Sequence, residues 1–526
     1  MKSMNVINNS TVLYKSCLAM LLLLLFINVI TAKAQPVTYN ISQYGAVADG
    51  KTDNTKAIQK AIDIAAGSGG GTVLVPTGKF VTGVIYLKSN IDLHFENGGT
   101  LLASINRIDY GPQKASALIV ANNAQHVSIT GAGTIDGRGD ALLKDIYRML
   151  KAGILKDEEW QTYNPWHQMR PAESNRPHLI DFTDCKGVVV KNVTIKDGLC
   201  WIQEYRNCSD MMFDSIKVHS NTFWNNDGID LVDCKNVKVS NSIFNVADDG
   251  VCLKSSNPNS YCDNIEIYNC RIRSSASAFK MGTASWGGFR NIKVHDIEVY
   301  DTFRSAIAIE TVDGGLIEDI DIRNVNAKNT GNAIFIRLGQ RNKNADPGIL
   351  RRVYIGNVKA EVPAGKPDAG YPMAGPELKF KHHVFPSGID GIKGYSVQDV
   401  TLENIDIAYG GTAEAANYDN FDMSKLDSIP EVVSNYPEFS MFGELPAWGF
   451  FVRHAEGITF KNVNLSYQKN DLRVACVFDD VKKLNIDGLN IAKTQISPTI
   501  VIRNSTTMAI NNIKVAGKTN GDILIK

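Results

Sequence analysis

A short pattern recurs through this 526-residue chain, and its spacing limits the fold more than any other feature. The segments CKGVVVKNVTI at 185, CSDMMFDSIKV at 208, CKNVKVSNSIF at 234, CDNIEIYNCRI at 262, FRNIKVHDIEV at 289 and IEDIDIRNVNA at 317 share it. Each has a polar turn, an alternating apolar strand, an Asn-type turn and a second short strand, and the starts lie 23, 26, 28, 27 and 28 residues apart. The pattern resumes at residues 350, 397, 455, 481 and 507, and AQHVSITGAGTI at 124 precedes it. Alternation of β-branched residues at period two predicts strands, and a steady period above about 20 residues predicts stacked coils. The expected fold is all-β: a single-stranded right-handed parallel β-helix, one domain over residues 35–526.

Three intervals exceed one coil, which predicts loop insertions near 137–178, 360–395 and 409–452. The interval from 124 to 185 has room for an extra, poorly patterned coil. Solenoid insertions usually project from one face, often the binding face.

The N-terminus carries Lys2 and Lys15, an apolar run from Cys17 to Ile30, and Ala32-Lys33-Ala34, the three parts of a secretory signal over residues 1–34. The run is too short for a spanning helix, and no second one follows, so an exported, periplasmic or extracellular protein without membrane insertion is expected. With 55 basic and 55 acidic residues overall, charge gives no case for nucleic acid. The cysteines after the leader are too sparse for a disulfide scaffold and lack a C-x-x-C zinc pattern. They read as buried small hydrophobes with room for one or two bridges.

Stacking turns residues one period apart into lateral neighbours about 4.8 Å apart. Leu253-Lys254-Ser255, Met281-Gly282-Thr283 and Ile309-Glu310-Thr311 fall at 28-residue steps, with the apolar member inward and the middle member outward. Extending that register gives Glu204, Asp230, Lys254, Gly282, Glu310 and Arg337 as one outward column, with Lys280 on the same face. Just upstream lie Asp227, Asp248 and Asp249, each cluster followed by a glycine, Gly228 or Gly250, that would permit a tight turn or a close ligand. One coil brings these carboxylates together. Bond cleavage between sugars needs a protonated acid at the leaving oxygen and an ionised carboxylate at the water, and crowded like charges keep one member protonated. A solvated Asp/Asn turn ladder and a calcium site are the competing readings.

At these residues the chain resembles glycoside hydrolase family 28, the polygalacturonase family of pectin-lyase-like β-helices. The likeness begins with ISQYGAVADGKTDNTKAIQKAI at 41 and continues through GTVLVPTGKFVTG, GAGTIDGRG and RPHLIDF. The family's Asn-Thr-Asp-Gly motif corresponds to Asn225-Asn226-Asp227-Gly228 and its Asp-Asp pair to Asp248-Asp249. The resemblance implies inverting hydrolysis without cofactor or metal, with Asp248 as general acid and Asp227 and Asp249 on the water. Two motifs are replaced: Gly-His-Gly by Ala276-Ser277-Ala278, and Arg-Ile-Lys by Ala308-Ile309-Glu310. Glu310 in place of a cation would repel a galacturonate carboxylate unless Lys280, Lys254 or Arg337 supplies a displaced cation, which points to rhamnogalacturonan, another α-linked pectic side chain or a different cell-wall glycan.

Further candidate substrate contacts are Trp224 beside the first cluster, Asp230, Lys254, Lys280, Glu310 and Arg337 on the outward face, and Arg453 and His454 below the longest insertion. The insertion EEWQTYNPWHQMRP offers aromatics, Trp160, Tyr163 and Trp166, for stacking on sugars, with His167 and Arg170 beside them. Long loops closing one cleft end favour end-acting cleavage by a monomer on a polysaccharide or oligosaccharide. A β-helical lyase using Lys254 or Lys280 as base, and a non-catalytic glycan-binding solenoid, are the alternatives.

Overall fold

The computed structural model describes residues 37–411, 422–516, 518–519 and 522–526; the expected signal segment lies outside them. Apart from the antiparallel pair Lys514–Val515 with Lys518–Thr519, strand follows strand in parallel register from Thr38–Asn40 to Ile523–Ile525, the architecture of a parallel β-helix. A typical coil has three strands, as in Gln203–Arg206, Ser209–Asp214 and Lys217–Ser220, which pair with Ile229–Val232, Lys235–Ser240 and Ile243–Val246 of the next coil.

The sequence alternation becomes columns. Ile267, Val294, Ile322, Ile355, Leu402, Phe460 and Ile486 stack rung on rung, each at most 1% exposed. A fully buried side chain of this size contributes about 1.5–3 kcal/mol, so every coil adds to one continuous core. The turns stack as well. Asn269, Asp296, Asn324, Asn357, Asn404 and Asn462 all hold positive φ, which Asn and Asp tolerate best. Their amides link coils: Asn357 Nδ2 donates to Asn324 Oδ1 at 3.0 Å and Asn462 Nδ2 to Asn404 Oδ1 at 2.7 Å.

Two α-helices among the described residues interrupt the strands. Helix α1 (Thr55–Gly67) buries Ile58, Ala61, Ile62 and Ala65, an i, i+3, i+4, i+7 stripe, against the first coils and covers their open end. Helix α2 (Gly139–Lys151) belongs to the first insertion. Strand Ile180–Thr183 pairs directly with Ile119–Asn122, so the interval from 124 to 185 holds no extra coil. The bridges allowed for in the sequence are not formed either. All eight cysteines among the described residues are free and buried. Those opening successive repeats point their thiols at backbone, with Cys208, Cys234 and Cys262 donating to carbonyls of Phe182, Tyr205 and Leu231.

Candidate active site

The outward column differs from its expected register. Asp230 pairs with Glu204 on one side and Cys252 on the other, and Cys252 with Lys280, whereas Lys254 pairs with Val232. Two columns therefore run side by side. One carries Glu204, Asp230, Cys252, Lys280 and Ala308; the other carries Lys254 and then Glu310, Arg337, Asp390 and Arg453. The offset arises because Asp230 and Cys252 are only 22 residues apart, shorter than the 28-residue step read from the tripeptides.

This shift puts Lys254 diagonal to two acids rather than above one. Its Nζ lies 3.0 Å from Asp227 Oδ2 and also bonds Asp230 Oδ1. Lys280 makes the equivalent pair in the next coil, 3.0 Å from Asp249 Oδ2, while Asp249 Oδ1 accepts the Ser277 N–H at 3.0 Å. Ser277 stands where the expected histidine is missing, and its backbone with Lys280 gives Asp249 the support the sequence left open. Oxygens of Asp227, Asp248 and Asp249 lie within 4.8 Å of one another, as do ligand atoms of Asp227, Asp230 and Cys252. Carboxylates so close suit a cation, and an ammonium group already occupies one oxygen each of Asp227, Asp230 and Asp249, while Asp227 Oδ1 and Asp230 Oδ2 have no hydrogen-bond partner among the described residues.

The glycines after each cluster serve packing. A Cβ on Gly228 would meet the Gly250 carbonyl at 2.4 Å, and one on Gly250 would meet the Ala278 carbonyl at 2.6 Å. Neither residue has positive φ, so it is the close approach of the next coil, rather than a turn, that requires them.

The three aspartates differ electrostatically. Burial, with Asp227 and Asp249 nearby, pushes Asp248 up to about 8. Burial also raises Asp249, but Lys280 and Arg304 outweigh it and hold this carboxylate below its ordinary range. Asp227 is raised by burial, partly offset by Lys254. Asp230, fully buried, is raised well above the usual range by burial and by Asp227. At neutral pH the patch therefore holds a protonated acid beside an ionised base.

Glu310 departs from expectation. It is 2% exposed, burial lifts its carboxyl to about 8 despite Lys280, and Lys280 Nζ stands 3.8 Å away. Near pH 7 it is mostly neutral and covered, so it does not present the repelling charge read from the sequence.

Arg337 and Arg453, expected at substrate, are held elsewhere. Arg337 donates to the carbonyls of Gly391, Glu431 and Val432, and Arg453 to those of Ile429 and Pro430. His454 is clamped between Asp480 Oδ2 at 2.7 Å and Glu431 Oε1 at 2.9 Å. All three residues pin the insertion segment 429–433 across the sheet, which buries the outward column from Arg337 onward. The same insertion carries Tyr436 and Glu438 to the edge of the aspartate patch. Tyr436 OH accepts from Lys280 Nζ at 2.8 Å, and Glu438 Oε2 stands 3.2 Å from Arg304 Nε.

On the opposite side of the patch a cavity of about 510 Å³ is lined by Lys114, His178, Asp181, Trp201, Glu204 and Arg206. Lys254 Nζ sits 3.7 Å from the Trp201 ring centre, which links that cavity to Asp227. Trp224 lines a second cavity with Asp157, Glu159 and Arg170, stacked on Trp166 at 6.4 Å and under the Arg176 guanidinium at 4.7 Å. Of that insertion, Tyr163 is exposed and Trp160 packs on Tyr147. Trp201 and Arg304 were not singled out from the sequence. Arg304 was findable, standing 28 residues after Ala276, itself 28 after Asp248. Tyr436 and Glu438 sit in a loop without period and carried no signal.

Residues 68–366 match the model of the glycosyl hydrolases family 28. The chain belongs to that family. It is an O-glycosyl hydrolase on a pectin-lyase-like β-helix. An exo-poly-alpha-D-galacturonosidase of Dickeya chrysanthemi is 30% identical over 262 residues, a match that spans 42% of this chain and 42% of that relative's length. An exopolygalacturonase of Zea mays is 23% identical over 384 residues, covering 72% of this chain and 78% of the relative. The fold is shared with the exopolygalacturonase of Thermotoga maritima (TM-score 0.56, 23% identity, 72% of this chain and 89% of that one). It is shared also with the family 28 exopolygalacturonase of Yersinia enterocolitica (TM-score 0.53, 16% identity, 92% and 80%).

Proposed function

We propose that the protein is an exported, monomeric, end-acting hydrolase that cleaves α-glycosidic bonds of a pectic polysaccharide by one inverting displacement. The observation that carries this reading is the asymmetry between neighbours: Lys280 holds Asp249 ionised, while Asp248 has no ion-pair partner among the described residues and is pushed up to about 8. Asp248 would protonate the leaving oxygen, and Asp249 with Asp227 would orient a water and take its proton. Oxygen contacts within 4.8 Å are shorter than the carboxyl separations of either stereochemical class, so inversion rests on the family likeness and not on distance.

The pectic substrate is supported by the relatives' names, which describe galacturonosidase and polygalacturonase activities. End action is supported by the wall of Tyr436 and Glu438 on one side of the patch, against an open cavity on the other. A lyase would need a neutral amine. Burial opposes charge on Lys254 and Lys280, but Asp227 and Asp230 for the first, and Asp249 for the second, raise both well above the ordinary lysine range. Incubation with pectic fractions tests the reading. New reducing ends are expected, and unsaturated, ultraviolet-absorbing products would overturn it.

A further inference from the structure

Arg304 is a cation that neither the family motif nor the paired lysines account for. Its N–H bonds the Ala276 carbonyl at 2.8 Å, which places it in Asp248's column, about two strand spacings or roughly 10 Å along the sheet. The rung between them, Ala276, carries only a methyl group and is itself fully buried. The Arg304 side chain is 11% exposed, and its Nε faces Glu438 Oε2 without a hydrogen bond. Neither Nη group makes a hydrogen bond among the described residues. The Tyr436 ring stands beside the guanidinium, 5.5 Å from centre to Cζ. A largely buried guanidinium with unused donors, next to a carboxylate that can accept, is equipped for a ligand that both donates and accepts.

We infer that the Arg304–Glu438 pair clasps the hydroxyls of an uncharged glycosyl residue on the side of Asp248 away from the Trp201 cavity. This rests on the hydrolase reading and specifies its substrate. Each cation near the patch already faces a carboxylate: Lys254 faces Asp227 and Asp230, Lys280 faces Asp249, and Arg304 faces Glu438. A sugar carboxylate held at Arg304 would sit against Glu438, in a largely buried place where like charges repel most. Vicinal hydroxyls meet both partners instead, accepting from the Nη donors and donating to Glu438.

The test uses the full chain carrying Asp248→Asn, so that sugar is bound and not cleaved. It is titrated calorimetrically with an oligogalacturonide and with the same oligosaccharide after carboxyl reduction. The reduced, neutral probe is expected to bind at least tenfold more tightly. Adding Arg304→Gln should remove most of that affinity. Adding Glu438→Gln, a change at a half-buried loop residue that leaves the core untouched, should weaken the neutral probe and strengthen the charged one. Equal or tighter binding of the charged probe overturns the inference, as does failure of both probes to bind. The two readings fail separately. Wild-type protein that releases reducing ends only from the charged oligosaccharide sinks the neutral-sugar inference and keeps the hydrolase. Neutral binding as expected, with reducing ends never released from any pectic fraction, does the reverse.

Discussion

Lys280 Nζ lies 3.0 Å from Asp249 Oδ2, and that contact helps hold Asp249 below its ordinary range while burial pushes the adjacent Asp248 up to about 8. Lys280 reaches Asp249 because strand Phe279–Ser285 is stacked one coil beyond strand Val251–Ser255, so this asymmetry is a product of the solenoid's period.

If Asp248 is the acid, its removal should be felt in turnover and not mainly in affinity. Asp248→Asn is expected to lower kcat by about two orders of magnitude or more, the usual contribution of a general acid. Asp227→Asn should act similarly through the water. Steady-state kinetics on a pectic substrate checks both, and wild-type rates in either variant would contradict the assignment.

The pH profile follows from the same asymmetry. With Asp248 pushed up to about 8, kcat/KM should fall as pH rises through that value, because the acid loses its proton. Lys280→Met removes the charge that holds Asp249 down. The acidic limb should then move to higher pH, and the protein should lose about 3–5 kcal/mol of stability from the uncompensated buried carboxylate. A profile unchanged in this variant would show that Asp249 is not the group responsible for the acidic limb.

Stability carries the opposite sign at Asp248. A carboxyl whose folded value lies above its unfolded one destabilises the fold as pH rises from about 4 to about 8, and has no effect below that window, where both states are protonated. Asp248→Asn removes this penalty. At pH 7 the inactive variant should be more stable than the wild type by on the order of 1–3 kcal/mol, and indistinguishable from it near pH 3.5. Thermal melts at the two pH values measure this, and a variant less stable at pH 7 would count against the raised value.

The wall at the C-terminal side of the patch predicts the product pattern. Tyr436→Ala should open that end and shift the products from one short species toward a ladder of lengths, read by chromatography of a time course. An unchanged pattern would remove Tyr436 from the account of end action.

The coils were legible because burial imposes a period of two along each strand and about 27 between rungs, and the Asn turns mark the same period. Helix α1 lies outside that period, and its signal in the sequence is the single short stripe of Ile58, Ala61, Ile62 and Ala65. The aspartates could be gathered onto one patch from coil length alone. The partner of Asp230 could not, since one coil of 22 residues shifts the register by an even number and leaves the inward and outward pattern intact. Arg337 and Arg453 were read as open to substrate because alternation tells which face a residue takes and says nothing of what covers that face. Segment 429–433 covers it, and its hold is made of backbone carbonyls, which leave no trace in side-chain pattern.

The most direct test of the account follows the first product released from a defined pectic oligosaccharide by wild-type protein and by Asp248→Asn, with its anomeric form read by nuclear magnetic resonance before mutarotation. The account predicts an inverted anomer from the wild type and almost no product from the variant. A retained anomer, or equal release by both proteins, would contradict it.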